Sequence, residues 1–255
     1  MACVEHVEGA IGLYPRQQLR LTDPRVRLAA GTVVMLATAV VAHRNRVSRC
    51  EAAAFRAVND LPGSLYPPAW VIMQLGTLGA APASAGVAWL AGERELAARL
   101  LAGGTATWAL SKVVKRIVRR PRPAMLLTDT RHRGPDATGL GYPSGHAGVA
   151  IALGAAALPR LGPAARGLAL TAIPTVGLTR VYVGAHLPLD IAGGAALGMV
   201  IDAALALAQD MLTPPTAPGR DLVSVSPGRP LPSAEPRRRR HRHPWPSAVS
   251  RSPCR

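Results

Sequence analysis

The chain has 255 residues, 49% of them hydrophobic but only 4% aromatic, and its 30 Lys+Arg against 14 Asp+Glu give a formal charge of +16. That apolar fraction excludes a disordered chain, and three widely spaced cysteines (Cys3, Cys50, Cys254) exclude a disulfide framework or a zinc cluster. The length allows one or two domains, and a mean hydropathy of +0.17 conceals a division into apolar and charged blocks.

Residues 1–27 are polar, carrying Arg16, Arg20, Arg25 and Arg27 without an apolar core, so no cleavable signal peptide is read there. Six apolar runs follow, separated by short polar breaks: 28–42, 69–91, 96–110 running on toward Val118, 146–158, 167–178 and 189–208. Several fall short of the roughly 20 residues that cross a bilayer core. Small residues dominate them, which suits close helix–helix packing in lipid. A soluble helical bundle is the alternative, but the runs lack the regular charged face of an amphipathic surface helix. The pattern therefore predicts an all-α fold, a six-transmembrane-helix bundle over 28–212. Residues 213–255 hold ten prolines and nine arginines with no apolar periodicity. They predict a disordered basic tail lying on an anionic membrane face, with no nucleic-acid partner.

Three polar clusters stand at the ends of apolar runs. The third run ends in Lys112, Lys115, Arg116, Arg119, Arg120, Pro121, Arg122 and Pro123. Prolines stop the helix there, and cations are favoured at its C-terminus. The second cluster is Pro143-Ser144-Gly145-His146, just before the fourth run. Ser144 is a natural N-cap, Gly145 permits close backbone approach, and free N–H groups at a helix start attract anions. The third cluster runs from Thr179 and Arg180 through His186 and Pro188 to Asp190. His186 lies four residues before Asp190, close enough for the carboxylate to hold one ring nitrogen and present the other. Each cluster alone also reads as a basic flank, a plain cap or an interfacial histidine. Parity unites them, because the run 146–158 and the run 167–178 form a hairpin that returns Arg180 and His186 to the face of Lys115 and Ser144.

Together these motifs resemble the type 2 phosphatidic acid phosphatase (PAP2) family, relatives of vanadium haloperoxidases. The family pattern is Lys, six residues, Arg-Pro; then Pro-Ser-Gly-His; then Ser-Arg, five residues, His, three residues, Asp. Lys115 with Arg122-Pro123, Pro143 to His146, and Arg180 with His186 and Asp190 follow it, and Thr179 replaces the usual Ser while keeping a hydroxyl. The resemblance covers about residues 30–210 and implies a metal-independent phosphatase without cofactors. It implies that Lys115, Arg122, Arg180, Ser144 and Gly145 bind phosphate. His186 would be the nucleophile, oriented by Asp190, and His146 would protonate the leaving oxygen and then activate water. Lys112, Arg116, Arg119 and Arg120 have no transferable role and are expected to face lipid headgroups. Asp202 is expected to find a partner inside the bundle and to take no part in catalysis.

With six spans, the arginine bias of the opposite loops predicts cytoplasmic termini and an outward active site in a multi-pass inner membrane. The expected substrate is a lipid phosphate: a polyprenyl diphosphate, phosphatidate or phosphatidylglycerol phosphate. A lipid phosphotransferase would use the same motifs, and a non-catalytic scaffold with a basic recruiting tail is the reading from another class. No motif speaks to the oligomeric state.

Overall fold

The computed structural model describes residues 23–135 and 138–212. The first 22 residues, and the stretch 213–255 expected to be a disordered tail, lie outside the described residues. Helix α1 (Pro24–His43) starts before its apolar run because Asp23 caps it, Oδ1 accepting from the Arg25 N–H at 2.8 Å, and Pro24 fills its first position. Residues 24–27, read as part of a polar leader, are therefore helical.

Helix α2 (Arg49–Asn59) occupies a break that the hydropathy pattern leaves unassigned. It buries Ala52, Phe55 and Asn59 on one face, and the Ser48 hydroxyl caps it by accepting from the Glu51 N–H at 3.1 Å. The second apolar run is not one straight helix. It divides into α3 (Tyr66–Met73), a 3₁₀ turn (Gln74–Gly76) and α4 (Ala80–Leu90), bent by 69° at the extended backbone of Thr77. Helix α5 (Arg94–Val118) is followed by the short α6 (Pro123–Leu126), then α7 (Gly145–Ala157), α8 (Pro163–Tyr182) and α9 (Pro188–Leu212). The fold is all-helical, with no strand among the described residues. Helices α1 and α9 are each long and apolar enough to cross a membrane, and the bent α3–α4 pair makes a third if taken as one span. At 13 residues, α7 is too short to cross alone.

Helix α9 sits centrally, packed on α1, α5 and α7. An alanine-rich core of Ala81, Ala85, Ala97, Leu100, Val149 and Leu153 joins α4, α5 and α7. The α7–α9 seam is closer still. A Cβ on Gly194 would strike the Ser144 carbonyl, and one on Gly198 would strike that of Gly148. Main chains thus meet directly, as small residues allow in helix packing. Gly194→Val is expected to lower stability by about 1–3 kcal/mol through overpacking, read by thermal melting of the purified chain.

At the far end of the bundle, Asp202 of α9 is buried and pairs with Arg27 of α1 (2.5 Å) and Arg99 of α5 (2.6 Å). The partner expected for this acid is therefore double. The same three helices meet again at their other ends, where Ala42, Val118 and Tyr142 cluster beside Leu189. Between Asp190 and Asp202 lies about 18 Å of helix at 1.5 Å per residue.

Candidate active site

Helix α5 delivers Lys115 in its last turn and then stops. Arg119 adopts a left-handed conformation (φ +56°), its N–H bonding the Lys115 carbonyl at 2.9 Å, and the proline-spaced segment beyond it is extended. The turn throws Arg120 inward. Its side chain is fully buried, with Nη1 donating to Asp190 Oδ1 at 2.9 Å and both terminal nitrogens meeting the Glu51 carboxylate at 3.0 and 2.7 Å. The expectation of a headgroup-facing Arg120 is corrected here: a guanidinium between two carboxylates gains more inside than at a wet rim. Burial opposes its charge, but Glu51 and Asp190 together raise its pKa above the usual arginine value. Lys112, Arg116 and Arg119 are exposed, and Lys112 lies over the Trp108 ring, 5.0 Å from its centroid.

Arg122 is the N-cap of α6, its Nε donating to the Thr138 carbonyl at 2.9 Å and Nη1 to that of Ala185 at 2.8 Å. Lys115 Nζ donates to the carbonyls of Leu140 and Gly141 at 2.9 and 2.7 Å. Both cations are therefore aimed by the loop that leads into α7. That loop ends at Ser144, the buried N-cap of α7, whose Oγ accepts from the Ala147 N–H and whose own N–H bonds the Asp190 carbonyl at 2.8 Å. This last bond ties the second and third sequence motifs together. Gly145 and His146 follow, both partly exposed.

Helix α8 brings Arg180 to the same end, with Nη1 against Met73 Sδ and Nε buried without a partner. Beyond α8 the chain turns sharply. Gly184 takes φ +75°, and a Cβ there would meet the Arg131 carbonyl, so only glycine fits without strain. Ala185 and His186 then donate back to the Arg180 carbonyl at 3.1 and 3.2 Å. Asn59 of α2 braces this turn, donating to the Tyr182 and Arg131 carbonyls and accepting the Arg131 N–H.

His186 is buried, with Nδ1 3.5 Å from Asp190 Oδ2; Asp190 Oδ2 also accepts the Leu187 N–H at 2.9 Å. At 3.5 Å the His–Asp contact is electrostatic, not yet a formed hydrogen bond, as is common in substrate-free sites. Burial, then the charges of Lys115, Arg180, Arg122 and His146, push the His186 pKa well below its ordinary value. The ring is therefore neutral, and Asp190 beside Nδ1 favours a tautomer that leaves the Nε2 lone pair free. No carboxylate among the described residues pairs with Lys115, Arg122 or Arg180. Every candidate phosphate-binding or catalytic residue read from the sequence thus lies around one end of the bundle, where Lys115, Arg122 and Arg180, none salt-bridged to a described carboxylate, surround the His186 imidazole. Among the described residues, no group of three His, Cys, Asp or Glu side chains is placed to hold a metal ion.

Sequence reasoning missed Glu51 and α2. The signal was there, because Ser48-Arg49-Cys50-Glu51 has the Ser-x-x-Glu spacing of a capping box. Glu51 turns away from the cap, and besides Arg120 its Oε1 accepts the Leu189 N–H at 3.2 Å.

Lys115, Arg122, the Pro-Ser-Gly-His turn, Arg180 and the His186–Asp190 pair all lie within residues 96–214, which match the PAP2 superfamily model. This region belongs to the PAP2 superfamily. Over 107 residues, 40% of the chain, it is 33% identical to the decaprenylphosphoryl-5-phosphoribose phosphatases of two Mycobacterium tuberculosis strains. The chain spans about half the length of these curated relatives, 55% in each case. In fold it is similar to LpxE of Aquifex aeolicus, with a TM-score of 0.56 and 22% identity over 62% of this chain and 94% of that one. It is also similar to the first transmembrane PAP2-type phosphatidylglycerolphosphate phosphatase from Bacillus subtilis, at 0.56 and 20% over 76% and 99%.

Proposed function

We propose that the chain is an integral-membrane lipid-phosphate phosphatase working through a phosphohistidine intermediate. The observation that carries this is the buried His186, its Nδ1 3.5 Å from Asp190 Oδ2, with Lys115, Arg122 and Arg180 around it and none of the three salt-bridged to a described carboxylate. In this reading the phosphoryl oxygens supply the missing negative charge. Arg122 and Arg180 grip them with guanidinium forks, and Lys115 and the Gly145 N–H complete the cradle. His186 Nε2 attacks phosphorus, and Asp190 steadies the positive charge that develops on the ring. His146 takes up the proton that a phosphate monoanion carries into the site and passes it to the leaving lipid oxygen, and the same ring then takes one from the water that cleaves the phosphohistidine.

In this reading α5, α7 and α8 join the three apolar elements as six spans, the 13-residue α7 reaching across only together with the 3₁₀ turn Leu158–Arg160 that continues it. The Arg27–Asp202–Arg99 end then faces the cytoplasm and the catalytic end faces outward. The named activity of the curated relatives makes a polyprenyl-linked phosphomonoester the first substrate to try, beside polyprenyl diphosphate, phosphatidate and phosphatidylglycerol phosphate. Purified protein in detergent is expected to release phosphate from at least one of these, with vanadate inhibiting and EDTA leaving the rate unchanged. A rate abolished by EDTA and restored by a divalent cation would exclude the metal-independent chemistry.

The acidity of His186 gives a further expected result. Protonation removes the nucleophile, and its folded-state pKa lies well below the ordinary imidazole value of 6.5. The corresponding limb of kcat/KM, corrected for the substrate's own second ionisation near about 6, should therefore fall away only as pH drops well under 6.5. A limb centred at or above 6.5 would contradict a buried, cation-flanked nucleophile.

A further inference from the structure

Arg120 and Glu51 lie outside every motif that led to the site, yet they form its best-connected polar group. Arg120 is the largest fully buried side chain among the described residues, and it bridges α2 to the first turn of α9. Each of the two carboxylates it meets is held by a backbone amide as well. Glu51 Oε1 receives the Leu189 N–H, and Asp190 Oδ2 receives the Leu187 N–H. The Arg120 carbonyl also accepts the Gly141 N–H at 2.7 Å, in the loop that aims Lys115.

We infer that Arg120, clamped by Glu51, is the positioning residue that sets the Asp190 carboxylate, so that Oδ1 is held and Oδ2 stays turned to His186. This inference rests on the phosphatase reading. The logic is one of directions. A carboxylate with one anchor rotates about its Cβ–Cγ bond, whereas Arg120 on one oxygen and the Leu187 amide on the other leave a single orientation. Arg120 itself would swing freely without a second anion, and Glu51 supplies it in two-point geometry that a lysine cannot reproduce. Arg120 touches no reacting atom, so its loss should slow turnover and leave substrate affinity nearly intact.

The test uses the full chain in detergent with whichever lipid phosphate the wild type hydrolyses best, comparing wild type, Arg120→Lys, Arg120→Gln and Glu51→Gln. Rates are normalised to the folded fraction measured by size exclusion and thermal melting. Glu51→Gln serves as the milder variant, since it keeps an acceptor for Leu189 and leaves Arg120 in place. Expected are kcat losses of about 10- to 100-fold in Arg120→Lys, the range seen for outer-shell partners of working imidazoles. Arg120→Gln should lose more, Glu51→Gln about 10-fold, and KM should stay within about 3-fold throughout. The double variant Arg120→Lys/Glu51→Gln should be no slower than Arg120→Lys alone, because both act through one carboxylate. An active wild type whose folded Glu51→Gln and Arg120→Lys variants keep kcat within 2-fold would overturn the inference alone. So would losses confined to KM, which would make Arg120 a substrate contact. A wild type inactive on the whole panel would overturn the phosphatase reading, and the positioning role with it.

Discussion

Replacing His186 by alanine is expected to abolish phosphate release, with a loss of at least about 10⁴-fold. The size follows from what the side chain does. It is buried, its Nδ1 lies beside Asp190, and the charges of Lys115, Arg180 and Arg122 act on it. His186→Ala removes no cation, so the binding cradle should survive. Vanadate or phosphate should still bind, and the melting temperature should still rise on adding either. Acid-labile phosphate trapped on the wild-type protein during turnover should be missing from the variant. Full activity in His186→Ala would end the assignment of the nucleophile.

Asp202→Asn is expected to destabilise the fold by about 3–5 kcal/mol, the usual cost of leaving buried charge uncompensated. Two guanidiniums converge on this one carboxylate, and their side chains are only 17% and 19% exposed. The amide leaves both without a counter-charge at the point where α1, α5 and α9 join. Thermal melting in detergent reads the effect, and kcat per folded molecule should be unchanged because the pair sits a dozen residues along α9 from Asp190. An unaltered melting curve would show that water or lipid already screens these arginines, and a lost kcat would give the acid a role in the chemistry.

The candidate site was legible because its residue types are scarce in apolar surroundings. Both lysines of a 30-cation protein sit in one helix end, and histidine beside a carboxylate at the mouth of a hydrophobic run stands out. Hairpin parity then sufficed to bring them together. Arg120 was illegible for the opposite reason. It is one cation in a row of several, and whether it faces lipid or protein depends on the left-handed turn at Arg119, which no residue type announces. Glu51, its partner, is distant in sequence and lies on an amphipathic helix that a search for apolar runs passes over. The break between α3 and α4 was hidden by uniform hydropathy. The His146 carbonyl and Val176 approach Gly76 so closely that no Cβ fits there, a tertiary fact that hydropathy does not carry.

The side-chain-free seam between α7 and α9 carries a consequence for how such a protein diversifies. Where Gly148, Gly194 and Gly198 let one backbone rest on another, the spacing of the two imidazole-bearing segments is dictated by peptide groups, which mutation hardly alters. A change in the shape of the site is then left to the side chains around this seam, because the seam itself has none to exchange.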